Sequence, residues 1–194
     1  MTEPKWLAEA RKEIGVSEHT TVGAKAVDQM WIDSKLRGLV GTAKTVPWCA
    51  GFVNAMLERA GIKSPRKDAS SSYDTFGQKL TEPKYGCIVR FSRSGGGHVG
   101  FCVGKTANGS LLILGGNQSD AVNIKAFGTD RVVAYRWPDG VEIDNRPIPV
   151  GDAALSVKES WYEIRLHKNA AHRVVDTIWS GYLAAMGNKR FKWR

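Results

Sequence analysis

Cys49 lies at the start of a predicted helix, where its thiol could act as a nucleophile. Apolar residues recur at helical spacing from Ala50 to Ala60, Pro47 precedes this run, and Gly61 follows it. Proline favours the first turn of a helix, and glycine favours the position just past its end. Because free N–H groups and the helix dipole favour negative charge in a first turn, we expect a lowered thiol pKa and a larger thiolate fraction. On these residues alone, a small buried core residue is an equally good interpretation of Cys49.

A cysteine nucleophile needs a base, and the base needs a group that orients its ring. His98 follows a glycine-rich loop and opens a predicted strand, so its ring could face an open cleft. Asn117 follows another predicted strand, and its side-chain oxygen could accept a hydrogen bond from the imidazole. Asp120 is a less well placed alternative. Taken singly, His98 could also be a surface or capping histidine, and Asn117 a turn residue.

Helices followed by short strands must position these residues. Helical spacing covers residues 4–14, 24–36 and 50–60, and a short helix is predicted at 70–80. Short runs rich in β-branched and aromatic residues then alternate with Gly, Ser, Asn and Asp, as in an antiparallel meander. These runs are residues 86–91, 98–103, 110–114 and 131–136, with a further possible strand at 120–127. The order predicts an α+β domain in which the Cys49 helix packs on a central antiparallel sheet.

The composition fits a globular protein and disfavours several kinds of site. The 194 residues are 42% hydrophobic and 24% charged, with a net charge of +9 and a pI of about 9.6. Three cysteines without a C-x-x-C motif, and four scattered histidines, favour neither a disulfide framework nor structural zinc, and no cofactor is predicted. The basic balance attracts polyanions of any kind. No apolar run is long enough to cross a bilayer and the first residues lack a signal-peptide pattern, so we expect synthesis in a cytoplasm.

Four motifs occur in an order that resembles a known family. They are PWCAGFVN at residues 47–54, GCIVRF at 86–91, GHVGF at 97–101 and LGGNQSD at 114–120. With them, residues 4–138 resemble the papain-fold cell-wall hydrolases of the CHAP and NlpC kind, particularly a group common in bacteriophages. The resemblance implies a papain-like fold in which Cys49 is the nucleophile, His98 the base and Asn117 the orienting residue. It also implies cleavage of amide bonds in peptidoglycan.

Two positions depart from the pattern of that family. Cys87 stands where related sequences typically carry aspartate, and we expect it to be structural. Gly115 stands where many CHAP domains carry glutamate, so the resemblance implies that His98 depends on Asn117 alone.

Three residues within these motifs, each next to a candidate catalytic residue, are candidates for substrate binding: Trp48, Gly97 and Gln118. Trp48 could form a wall of the cleft, although packing against the sheet is at least as good an interpretation.

The composition then changes at the end of the predicted catalytic domain, residues 1–138. Residues 139–151 are predicted to be an extended linker, and residues 152–194 an amphipathic helical extension. The chain ends in a basic, aromatic tail in which Lys189, Arg190, Lys192 and Arg194 could contact an anionic membrane or lipopolysaccharide. Alternatively, the apolar stripe of this helix packs on the domain.

The leading hypothesis is a cysteine peptidoglycan hydrolase that serves phage-mediated host lysis. Its expected partner is the peptidoglycan stem peptide, with no specific nucleic acid and no second copy of the chain. Another factor is expected to deliver it from the host cytoplasm to the cell wall or periplasm. Two other classes stay open: a basic nucleic-acid- or envelope-binding module without turnover, and a papain-like toxin or acyltransferase.

Overall fold

Three α-helices precede a six-stranded antiparallel sheet in the part of the chain that the computed structural model describes, residues 3–93 and 95–151. The helices are α1 (Lys5–Lys12), α2 (Thr21–Asp33) and α3 (Cys49–Arg59). The strands are β1 (Gln78–Leu80), β2 (Ile88–Arg93), β3 (Gly96–Lys105), β4 (Leu111–Gly115), β5 (Asn123–Phe127) and β6 (Val132–Trp137). Short 3-10 turns lie at Arg37–Leu39, Ser70–Tyr73 and Thr129–Arg131. The α+β class predicted from the sequence is confirmed.

Helix α3 forms the centre of the core, and its bounds follow the predicted signals. It begins at Cys49, and every residue from there to Leu57 is buried. After its last turn Gly61 adopts the left-handed conformation (φ 80°), and the backbone N–H of Ile62 donates to the carbonyl of Leu57 at 2.9 Å. These features complete the glycine-terminated helix end that the sequence predicted.

A close helix–helix contact fixes α3 against α2. A Cβ atom added to Gly51 would lie 2.4 Å from the ring of Trp31, which is itself fully buried. Glycine therefore allows the two helices to approach more closely than any other residue would.

The sheet differs from the predicted meander at one edge. Strands β2 to β5 pair in sequence, but β6 returns to pair with the other edge of β2, and the order is β1-β6-β2-β3-β4-β5. The helix predicted at residues 70–80 was wrong: the segment holds the Ser70–Tyr73 turn and then β1, which pairs with β6. This pairing is long-range, so local periodicity carries no signal for it.

Residues 139–151, predicted to be a linker, contain neither helix nor strand, but they contact the domain. Ile143 and Ile148 are partly buried against the core. The backbone N–H of Lys105 donates to the carbonyl of Pro149, and that of Gly151 donates back to the carbonyl of Lys105. The segment therefore packs along the end of β3.

The chain divides into two units, Met1–Leu155 and Ser156–Arg194. The second unit, and with it the predicted amphipathic extension and the basic tail, lies outside the described residues. Within the described residues, none of the helices has the length and apolar character needed to span a membrane.

Candidate active site

The thiol of Cys49 lies where α3 meets β3. The side chain is 6% exposed, and the backbone N–H of Val99, the residue after His98, hydrogen-bonds to its sulfur. Burial raises the pKa of Cys49, and this effect outweighs the lowering by the N–H groups of Val99 and Ala50 and by the charge of Arg93. The predicted lowering of the thiol pKa was therefore wrong in sign, because the sequence pattern does not show how deeply the helix start is buried.

His98 lies on β3 in a largely apolar environment. Its ring stacks on Phe127 with centroids 5.2 Å apart and faces Phe91 at 6.4 Å. Burial, reinforced by the charges of Arg93 and Lys125, lowers its pKa from 6.5 to about 4, although the hydrogen bond to the Gln118 side chain acts in the opposite direction. The imidazole is therefore neutral at pH 7 and can accept a proton.

Gln118 fixes the orientation and the tautomer of His98. Its Oε1 lies 3.0 Å from His98 Nε2, while its Nε2 donates to the carbonyls of Ile113 and Asn123 at 3.2 and 2.6 Å. Because the amide nitrogen already donates to these carbonyls, the amide oxygen must face the ring. His98 therefore carries its proton on Nε2, and Nδ1 is left as the basic nitrogen.

The contact expected of Asn117 is thus made by its neighbour Gln118. The backbone of Asn117 adopts the left-handed conformation (φ 56°), as do those of Ser119 (φ 53°) and Asp120 (φ 58°). The turn role left open for Asn117 fits this backbone, and the turn directs the following side chain toward His98. Asp120 pairs instead with His19, at 3.2 Å.

Gly115 provides the space that Gln118 uses. A Cβ atom at position 115 would lie 3.0 Å from Gln118 Oε1 and 3.2 Å from His98 Nε2. A glutamate at this position would therefore project into the volume that the Gln118 amide occupies. In this chain the glutamine three residues later makes the contact with His98.

The candidates for substrate binding have different positions. Gly97 lines the cleft described below, and its contact with substrate stays a prediction. Trp48 is only 1% exposed and donates from Nε1 to Glu18 Oε2 at 2.6 Å, so it is a core residue and not a wall of the cleft. Gln118 is also buried, at 4% exposed, and its polar atoms are engaged by His98 and the backbone, so it positions the histidine and does not face substrate.

An open cleft of about 290 Å³ gives access to Cys49. Three segments line it: residues 46, 47 and 49 at the start of α3, residues 68–71, and parts of the hairpin formed by β2 and β3. A larger cavity of about 490 Å³, between α1 and the end of β6, includes neither Cys49 nor His98. Among the described residues, no group of three or more Cys, His, Asp or Glu side chains could hold a metal ion.

Asn54 is a positioning residue that the sequence analysis missed. It is fully buried on α3, accepts a hydrogen bond from the Tyr73 hydroxyl at 2.6 Å, and donates to the carbonyl of Lys67 at 2.8 Å. These two hydrogen bonds connect residues 67 and 73, which flank the 68–71 wall of the cleft, to the helix that carries Cys49. A buried asparagine within the PWCAGFVN motif, on an otherwise apolar helix, was the available signal.

The remaining predicted contacts, those of Lys189, Arg190, Lys192 and Arg194 with an anionic surface, lie outside the described residues.

The described geometry is that of a thiol and a neutral, oriented imidazole at the junction of a helix and a sheet. Such a pair can perform nucleophilic catalysis on a carbonyl carbon. The family model of the CHAP domain matches residues 41–117, a segment that includes Cys49 and His98 and ends one residue before Gln118. The match supports a CHAP-type family, whose members act on peptidoglycan as hydrolases, amidases or peptidases. Comparisons with curated proteins and with solved structures gave no match.

Proposed function

We propose that this protein is a cysteine-dependent peptidoglycan hydrolase that cleaves an amide bond of the stem peptide. One observation carries the proposal: within the segment similar to the CHAP domain, the Cys49 sulfur accepts a hydrogen bond from the backbone N–H of Val99 on β3, the residue after His98, whose proton position is set by Gln118. A module that only binds the wall has no need for an oriented, neutral imidazole on the strand that contacts a buried thiol.

The mechanism begins with both groups neutral, because burial raises the pKa of Cys49 and lowers that of His98. His98 Nδ1 accepts the thiol proton as the Cys49 sulfur attacks the amide carbonyl carbon. The resulting oxyanion is stabilised by backbone N–H groups at the start of α3. The C–N bond then breaks, His98 gives the proton to the leaving amine, and a thioester remains.

Hydrolysis of the thioester completes the cycle. His98 accepts a proton from a water molecule as its oxygen attacks the thioester carbon, and the C–S bond breaks. The products are a free carboxylate and the thiol of Cys49, which takes up the proton from His98. Each turnover therefore releases one new amino group and one new carboxyl group.

We infer that this activity serves phage-mediated host lysis, with delivery to the wall by another factor. The support for this part is the resemblance of the four motifs to phage wall hydrolases. A lysis assay on intact cells, with and without permeabilised envelopes, tests the need for delivery.

The experiment that tests the hydrolase compares the native protein with Cys49→Ala on purified peptidoglycan, and measures release of new amino groups. We expect release by the native protein and none by Cys49→Ala. Cys102→Ala is the matched control, because Cys102 is also a buried free thiol but lies on β3 away from the cleft lining. Mass spectrometry of the released muropeptides identifies the bond.

Wall cleavage that persists in Cys49→Ala would refute the thiol mechanism. Salt-sensitive DNA binding by a protein without wall cleavage would instead favour the basic binding module. Turnover of a non-wall amide alone would favour the toxin or acyltransferase.

A further inference from the structure

The cleft beside Cys49 presents one free group of each charge. Asp68 and Arg93 both line it, and both are exposed. Among the described residues, neither side chain has an ion-pair or side-chain hydrogen-bond partner. Two unpaired charges of opposite sign in a cleft of about 290 Å³ are suited to a ligand that carries both charges itself.

The neighbouring charges of the cleft are already paired, which singles out these two. Arg90 also lines the cleft, but its Nε lies 3.0 Å from Asp74 Oδ1, and its side chain is only 13% exposed. Arg136 in turn donates to the backbone carbonyl of Asp74. Arg90 therefore supports the wall, while Arg93, at the end of β2, is available to a ligand.

Both walls of the cleft are held in place by buried contacts. On one side, the carbonyl of Lys67 accepts a hydrogen bond from buried Asn54, which fixes the backbone next to Asp68. On the other side, a Cβ atom at Gly97 would lie 2.6 Å from Ser70 Oγ, so glycine allows the β2–β3 hairpin to approach the 68–71 wall closely. The spacing between the two charged walls is therefore set by the fold before any ligand binds, which lowers the entropic cost of binding.

We propose that this cleft binds a zwitterionic side chain of the stem peptide, with Arg93 contacting its carboxylate and Asp68 its ammonium group. The inference rests on the proposed function, since it places a stem peptide in the cleft beside Cys49. Such a cleft prefers stem peptides whose diamino acid carries a free carboxylate next to its side-chain amine, as diaminopimelate does. Stem peptides with lysine at this position offer the amine alone and should bind less tightly. Arg93 can form a two-pronged contact with a carboxylate, which a lysine side chain does not offer it.

The test measures binding in the Cys49→Ala protein, so that its result does not depend on turnover. Three synthetic stem peptides are compared by calorimetry: one with diaminopimelate, one with lysine, and one with side-chain N-acetylated diaminopimelate. We expect the diaminopimelate peptide to bind about tenfold more tightly than either of the others, because each of the others lacks one charge-assisted hydrogen bond.

Each charge is then removed in turn. Arg93→Gln should abolish the preference over the lysine peptide, and Asp68→Asn the preference over the acetylated peptide. Arg37→Gln and Asp139→Asn are matched controls, since both residues are exposed and lie outside the cleft lining, and both should leave the preferences unchanged.

Equal affinity for the three peptides, or preferences that survive both cleft substitutions, would overturn the proposal. Cleavage of the diaminopimelate peptide by the native protein is measured separately. If the protein shows the expected binding preferences but does not cleave the peptide, the proposed hydrolase activity is contradicted and the zwitterion site is supported. If it cleaves the peptide without showing the preferences, the hydrolase activity is supported and the zwitterion site is contradicted.

Discussion

The low pKa of His98 makes a quantitative prediction about stability. The folded protein lowers the pKa of this imidazole from 6.5 to about 4, because the ring is buried against Phe91 and Phe127. Above pH 6.5 the ring is neutral in both folded and unfolded chains, and the fold has its full stability. As the pH falls from 6.5 toward 4, the unfolded chain binds a proton that the folded chain does not, so stability is lost. One pKa unit corresponds to 1.36 kcal/mol, so the loss from this group is about 3 kcal/mol.

His98→Gln isolates this contribution, because other acidic groups titrate equally in both proteins. Urea unfolding, monitored by tryptophan fluorescence at pH 7 and at pH 4, gives the free energy of unfolding of the native protein and of the variant. We expect the native protein to lose about 3 kcal/mol more than His98→Gln over this interval. NMR of the imidazole protons should place the titration midpoint of His98 near pH 4, with the resonance assigned by its absence from the variant. A midpoint near 6.5, or equal losses in the two proteins, would refute the reasoning.

Two further substitutions test the site and the core. Gln118→Ala removes the acceptor of the His98 proton and should lower kcat roughly 10²-fold with little change in KM, because the ring loses its orientation. Asn117→Gly keeps the left-handed backbone and should retain most of the activity. The reverse ranking of the two variants would contradict the assignment of Gln118 as the orienting residue. Gly51→Ala forces a methyl group against the Trp31 ring and should lower the free energy of unfolding in urea by roughly 1–3 kcal/mol. Gly38→Ala places its methyl group in open space and should not lower it. Equal effects of the two substitutions would argue against the close contact between α2 and α3.

The sequence predicted those parts of the molecule that depend on local pattern. The start of α3 at Cys49 and its end just before Gly61 follow from helix signals that act over a few residues. The place of His98 on a strand behind a glycine loop follows in the same way. The α+β class required only that helices and strands be segregated along the chain.

The parts that were missed depend on tertiary structure. The choice between Asn117 and Gln118 rests on a turn in which Asn117, Ser119 and Asp120 are left-handed, and such a turn leaves no trace in strand periodicity. The return of β6 to β2 joins strands about forty residues apart. The pKa of Cys49 depends on burial by neighbours from other elements, whereas the helix-start argument considers only the helix itself.

The shared space between Gly115 and Gln118 makes the two positions epistatic. A side chain at position 115 would compete with the Gln118 amide for the same few ångströms beside His98, so a larger residue is acceptable there only when residue 118 is shortened. Shortening residue 118 is in turn acceptable only when position 115 supplies the acceptor. A mutational scan that changes one residue at a time should therefore find both positions intolerant, although the paired exchange restores an oriented histidine. An evolutionary path that moves the acceptor between these positions must pass through an intermediate in which the histidine is either crowded or unoriented.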